Sequence, residues 1–351
     1  MQNSRLISEF PERVRYVVTS APESWELAFD DIRTVDVSAR IVSSLSTGVF
    51  VVESACRPTL LAARLRESGV FVRHLFPVAE IIQRFHDDAD LTLLVDACVG
   101  LRERLNPAGA FSVQTRVLTD AGPRNFDANR AVSEALADLG YALDVKRPAQ
   151  VISIVCTEST TYLGVSAVGD NLSDWAGGVR RFAREPGQLS RAEFKILEAI
   201  EVFGVELPKI GLALDLGAAP GGWTRILRER GLRVVAVDPA SLDPHIGSDA
   251  GVTHVRATAQ KYLARHPGQA QFDLIVNDMR IDAAASARLM CDVAKLLKRD
   301  QLAIMTLKLR TQHQRKQVRN TLTVLAKMYR VRGCRKLFHN RTEVSVCLQK
   351  S

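Results

Sequence analysis

From residue 211 onward the chain alternates short, wholly apolar runs with amphipathic stretches. The apolar runs are expected as strands at Leu212–Leu216, Val234–Val237, Thr253–Arg256, Leu274–Asn277 and Leu302–Leu307. Helices are expected between them, among them 222–229 and 284–297. Two last strands, near Arg335–Phe338 and Glu343–Leu348, are expected as an antiparallel pair. Strands alternating with helices predict a doubly wound, Rossmann-like α/β sheet. Ligands of such sheets bind at the carboxyl ends of the strands. A helix over Ser190–Gly204 precedes the sheet. Ser190 and Glu193 stand in capping-box spacing, Ile196, Leu197, Ile200 and Phe203 give one apolar face, and Gly204 ends it.

The earlier half has a different rhythm. Strand-like runs at Arg15–Ser20 and Gly48–Val52 flank WELAFDDI, a short helix. A helix over 58–69 starts at Pro58 and stops at Gly69, and Val70–Phe76 reads as a strand. Ala110–Leu118 alternates like a half-buried strand, and Asn129–Gly140 is helical. KRPAQVISIVCTE and TTYLGVSAV then read as two strands around a polar turn. The stretch 171–189 is rich in Gly, Arg and Asp and is expected as a linker. The expected organisation is an α+β region at 1–55, an α+β domain at 56–170, the linker, and the α/β domain at 190–351. Within the linker, Arg180, Arg181 and Arg184 either line a groove or keep the segment solvated.

The candidate chemistry starts at LDLGAAPGGWT. A buried strand runs into a glycine turn and then a helix, whose first N–H groups lack intrahelical partners. Glycine lets backbone approach a ligand closely. Asp238 ends the next strand, where a ribose diol is bound in units of this type. The glycines at 217, 221 and 222 do not fit G-x-G-x-x-G, which argues against a nicotinamide dehydrogenase, and no Gly-Lys-Ser/Thr follows for a Walker-type site.

This stretch resembles the S-adenosylmethionine motif of the FtsJ/RrmJ ribose methyltransferases, enzymes that methylate RNA 2′-hydroxyls. The family needs Lys, Asp, Lys and Glu in that order. Lys195 in SRAEFKILEA, Asp278 in DLIVNDM, Lys308 in IMTLKL and Glu343 in RTEVSVCL match over residues 188–350. The resemblance implies Lys308 as the base that deprotonates the hydroxyl. Asp278 and Glu343 would position the lysines and ribose, and Lys195 would position or clamp a phosphate; sequence does not separate base from clamp. A lysine serves as a base if burial or a nearby cation suppresses its charge.

For S-adenosylmethionine the resemblance implies Gly217, Ala219, Pro220, Gly221, Gly222 and Trp223 around the methionine and sulfonium, with Asp238 at the ribose. Ser190 would reach the carboxylate or serve only as a helix cap, Thr258 falls near the adenine, and Asp278 borders the cofactor. Strand, helix, basic-Pro connection and hairpin between 110 and 168 resemble the THUMP domain, an RNA-binding module. The order THUMP-like domain then FtsJ-like domain is similar to bacterial 23S rRNA cytidine 2′-O-methyltransferases. A tRNA ribose methyltransferase and a non-catalytic RNA-binding protein of this fold are the alternatives.

Charge bears on the partner. Net charge is +8, yet the interval between Asp300 and Glu343 has no acidic residue and eleven basic ones, so the remainder is slightly acidic (8 − 11 = −3). Such a concentrated basic surface fits a polyanion such as RNA. Arg310, Arg315, Lys316, Arg319, Arg180, Arg181, Lys146 and Arg147 are the expected RNA contacts. Six cysteines without a Cys-x-x-Cys pair and seven dispersed histidines give no metal spacing. No apolar run has the length of a membrane span, and MQNSRLISEF lacks the apolar core of a signal peptide, so a cytoplasmic protein is expected. Nothing in the pattern selects an oligomeric state.

Overall fold

The computed structural model describes residues 13–84, 89–120, 123–268 and 271–351. The segment MQNSRLISEF, residues 1–10, lies outside them. The chain divides into two units at Val179/Arg180, within the stretch expected as a linker.

The first unit holds two four-stranded sheets. One is built from β1 (Val14–Ser20), α1 (Trp25–Val35), β2 (Arg40–Ser46), β3 (Val49–Ser54), α2 (Pro58–Ser68) and β4 (Val72–Pro77), with strand order β2-β3-β1-β4 and antiparallel pairing. The boundary expected at residue 56 therefore cuts through a sheet, because β4 pairs with β1. The other comprises β5 (Glu80–Gln83), α3 (Ala89–Gly100), β6 (Phe111–Val117), α4 (Asn125–Asp138), β7 (Gln150–Cys156) and β8 (Thr160–Ala167), in the order β5-β8-β7-β6. β6 and β7 are parallel, with α4 as their crossover.

Every residue of β7 is buried, as a central strand covered on both faces requires. One face meets α3 and α4 through Cys98, Val132, Leu136 and Ile152. The other carries Val155, packed with Tyr162, Val17, Val51 and Phe76 of the two sheets. The α4 helix begins four residues before its expected start. Asn125 and Asn129, one turn apart, accept from Val117 N and Thr115 N, each at 3.0 Å. They thereby satisfy donors on the edge strand of this sheet. The sequence pattern missed α3, whose apolar residues are not confined to one face, and β2, a mostly exposed edge strand.

The second unit begins with α5 (Ala192–Val202). Then follow β9 (Gly211–Leu216), α6 (Gly222–Glu229), β10 (Leu232–Val237), α7 (Pro244–Gly247), β11 (Val252–Val255) and α8 (Ala259–Arg265). β12 (Phe272–Asn277), α9 (Ala283–Val293), β13 (Leu297–Lys308), α10 (Gln314–Leu325), β14 (Tyr329–Arg335) and β15 (Glu343–Lys350) complete it. One seven-stranded sheet has the order β11-β10-β9-β12-β13-β15-β14. The first five strands pair in parallel, and β15 pairs antiparallel with both β13 and β14. Sequence order reverses between β9 and β12, so their carboxyl ends border the crevice where such sheets bind ligands. Ala213, Val234, Ala236, Leu274, Val276 and Ile304 form the core beneath it.

Several details differ from expectation. The helix expected to reach Leu297 stops at Val293 and a 3₁₀ turn leads into a longer β13. The penultimate strand is β14, six residues earlier than expected, so residues 336–342 are a loop beside the crevice. Its basic alternation, with Arg330 and Arg332 turned outward, disguised an edge strand. The capping box is only half formed. Glu193 Oε1 accepts from Ser190 N at 3.3 Å, but the Ser190 hydroxyl accepts from Ala192 N at 3.2 Å.

Candidate active site

The turn after β9 is shaped by glycines that a side chain would disrupt. Gly217 has φ +76°, and a Cβ there would meet Met279 Cγ at 2.6 Å. Gly221 has φ +117° and starts α6 with no side-chain cap, leaving the first N–H groups of the helix for another acceptor. Trp223 Nε1 donates to Ala192 O at 2.7 Å and ties α6 to α5. Asp238 Oδ2 accepts from Ala219 N at 3.2 Å and its Oδ1 from Ala240 N at 2.8 Å, which fixes the carboxylate beside the turn.

This turn forms one wall of a cavity of about 1880 Å³. Lys195, Asp278, Lys308 and Glu343 form another, delivered by α5, the end of β12, the end of β13 and the start of β15. Lys308 and Glu343 face each other because β13 and β15 pair in that register. Lys195 Nζ lies 2.5 Å from Glu343 and 3.3 Å from Asp278. Lys308 Nζ lies 2.7 Å from Asp278 and 3.8 Å from Glu343. Two lysines and two carboxylates thus share one cluster.

Burial alone would push the Lys195 ammonium down, but Asp278 and Glu343 outweigh it and hold its pKa above the ordinary lysine value. Burial would raise Asp278, and the two lysines with the Thr306 hydroxyl overcome that and keep its carboxyl below the usual range. Lys195 and Lys308 are both bonded to Asp278 and lie within 4 Å of Glu343.

Two polar residues at or behind the cavity escaped the sequence reading. Thr306 is buried and donates to Asp278 Oδ1 at 2.5 Å while accepting from Lys308 Nζ at 3.0 Å. It precedes Lys308 by two positions on one strand, so the period of two was the available signal. Asp215, a carboxylate inside the apolar run LALDL, lines the cavity and accepts from Thr224 Oγ1 at 2.6 Å. Burial pushes its pKa up to about 7.

A profile of FtsJ-like methyltransferases matches residues 188–346. These residues are an FtsJ-like methyltransferase domain. The chain is also 28% identical over 328 residues to "Ribosomal RNA large subunit methyltransferase M" of Methylococcus capsulatus, covering 88% of this chain and 89% of that one. The protein of that name from Halorhodospira halophila is 36% identical over 181 residues, or 49% and 50% of the two chains. That from Shewanella loihica is 28% identical over 311 residues, 82% of each. The chain is a methyltransferase, and its cofactor is S-adenosylmethionine.

The donor set of the FtsJ-like domain fits that cofactor. The glycine turn admits close approach, and Asp215 and Asp238 offer carboxylates on either side of it for an ammonium and a diol. When bound, S-adenosylmethionine supplies a methyl group already activated by its sulfonium. Ser190, Gly217, Ala219, Pro220, Gly222, Trp223 and Asp278 also line the cavity; Gly221 lies behind the turn against Ile246. Thr258 does not line it. Its hydroxyl accepts from Lys261 N at 3.3 Å as the cap of α8.

Of the expected RNA contacts, Arg181 and Arg310 are exposed on the cavity wall. Lys316 and Arg319 are exposed on α10, where Arg315 is half-buried. Arg180 is paired with Glu201 at 2.6 Å and lies over the Phe182 ring at 4.1 Å, so it serves packing within the second unit. Lys146 and Arg147 are exposed in the first unit, on a turn closed by Asp144 Oδ1. Among the described residues no group of three or more His, Cys, Asp or Glu is arranged to hold a metal, and no helix is long and apolar enough to cross a membrane.

Proposed function

We propose that the protein is an S-adenosylmethionine-dependent ribose 2′-O-methyltransferase of large-subunit rRNA, acting on a cytidine of 23S rRNA in the cytoplasm. The observation that carries this reading is the convergence of Lys195, Asp278, Lys308 and Glu343, from four separated segments, on the cavity that also holds the glycine turn.

A ribose hydroxyl is a weak acid, so aligning it and removing its proton is the work left to the protein. With its amine in the neutral form, Lys308 accepts the 2′-hydroxyl proton. Asp278, bonded to Lys308 at 2.7 Å, and Glu343, at 3.8 Å, stabilise the ammonium that results. Lys195, held between the same carboxylates, positions the substrate. Exposed Arg310, Lys316 and Arg319 take up phosphates outside the cavity. In the first unit, the sheet of β5 to β8 with α3 and α4 is read as a THUMP-like RNA-binding module, with Lys146 and Arg147 on its surface.

The test uses purified full-length protein, tritiated S-adenosylmethionine and total RNA from a strain lacking the gene. Alkali-resistant label in 23S rRNA is expected, and Lys308→Ala is expected to reduce it by at least about a hundredfold. Label in tRNA instead would move the substrate to that RNA. A Lys308→Ala variant that methylates normally would falsify the assignment of the base, and cofactor binding with no transfer to any RNA would leave a non-catalytic binder.

A further inference from the structure

Beside the lysines and carboxylates, the same cavity has an aromatic wall. Phe194, Phe338 and His339 line it. Phe194 and His339 have ring centroids 5.0 Å apart, and Phe338 meets His339 edge-on, also at 5.0 Å. Phe182 backs the group, stacked on Phe194 at 5.6 Å and an interplanar angle of 15°, and does not itself line the cavity.

We propose that Phe194, Phe338 and His339 form a stacking platform for the base of the nucleotide whose ribose is methylated. The proposal rests on the ribose-methyltransferase reading and adds to it the site that holds the base.

The platform is built rigidly. Glu198 is buried on α5 and accepts from both Phe338 N, at 2.8 Å, and His339 N, at 2.9 Å. His339 Nε2 lies 2.8 Å from Arg180 O. Phe194 and Glu198 are one helical turn apart, so one helix carries a ring of the platform and the anchor of the other two.

The platform is also tied to the reacting groups. Lys195 follows Phe194 directly, and Glu343 follows His339 by four residues. A base seated here would bring its own ribose toward Lys308.

Charge supports a nucleotide as the occupant. Arg181, Arg184, Arg191 and Arg341 line the same cavity and are exposed. Aromatic faces with guanidinium groups around them are how single-stranded RNA bases and their phosphates are held. Clamping the 180–189 segment accounts for Phe182. It does not account for Phe338, which is half-buried at the cavity wall.

The experiment compares wild type, Phe338→Leu and Phe338→Tyr in full-length protein. The substrates are the mapped rRNA segment and the same segment with an abasic ribose at the modified position. Phe338→Leu keeps apolar bulk but loses the ring, and its KM for the normal RNA should rise about ten- to hundredfold. Its melting temperature and its affinity for S-adenosylmethionine should stay those of wild type, and Phe338→Tyr should restore the KM. On the abasic RNA, wild type and Phe338→Leu should perform alike. Equal KM values for wild type and Phe338→Leu on normal RNA, or a Phe338→Leu defect of the same size on both RNAs, would overturn the platform while leaving ribose methylation intact. No transfer by wild type to any RNA would instead remove the ribose reading, and the platform with it.

Discussion

The Thr306 hydroxyl stands 2.5 Å from Asp278 Oδ1, and the same oxygen is 3.0 Å from Lys308 Nζ. It gives its proton to the carboxylate and its lone pair to the amine, so one buried side chain fixes both. Thr306→Val keeps the shape and removes both bonds. A hydrogen bond to a charged group contributes about 1.5–3 kcal/mol, so kcat should fall roughly ten- to hundredfold with KM for S-adenosylmethionine unchanged. The Thr306 bond is among the influences that hold the Asp278 pKa down. Its loss should therefore move the acid limb of the pH–rate profile to higher pH. Thr306→Ser should restore rate and profile together; a fully active Thr306→Val would show that the hydroxyl positions nothing.

Asp215 makes a prediction about stability. Burial raises its folded pKa to about 7, whereas an unfolded aspartate titrates near about 4. Between those values the folded chain keeps a proton that the unfolded chain releases. Stability should accordingly fall as pH rises from about 4 to about 7 and be insensitive to this group above that. Asp215→Asn, which can still accept from Thr224, should be stabilised relative to wild type by an amount that grows across this window. Urea denaturation of the cofactor-free proteins at several pH values reads the difference directly, and parallel curves would mean that Asp215 titrates like an exposed carboxylate.

The basic face of α10 predicts a salt effect. If Lys316 and Arg319 meet phosphates, RNA affinity falls with ionic strength, and each lost contact lowers the slope of log K against log salt by about 0.7–0.9. Replacing Arg315, Lys316 and Arg319 by Glu should weaken RNA binding and flatten that slope while S-adenosylmethionine affinity is kept. Filter binding at several salt concentrations would expose an unchanged slope, the mark of a merely solvated helix face.

The parallel strands of the second unit were legible because their central residues are apolar runs, whereas the basic alternation of β14 hid that strand. α6 begins and ends where the pattern put it, and β9 starts one residue earlier than the expected strand, at Gly211. Lys195 shows the limit of that reading. Helical spacing gave it only as a polar residue near the start of α5, and the family's order of residues, not periodicity, singled it out. Arg180 shows another limit: as a residue type it suits RNA, and its contacts with Glu201 and Phe182 give it a packing role.

What the sequence determined by itself was local. It contained the alternation of strand and helix, the glycine turn that tolerates positive φ at Gly217, and the order of Lys195, Asp278, Lys308 and Glu343. What the tertiary structure decided was which of these meet. The β13–β15 register brings Glu343 opposite Lys308, 35 positions away in the chain (343 − 308). Packing of α5 brings Lys195 to the same carboxylates, and the 336–342 loop brings His339 against Phe194. Such contacts depend on sheet order and on how helices cover it, which are sums over the whole fold. The same is true of Asp215, whose raised pKa comes from what surrounds it and is written in no neighbouring residue.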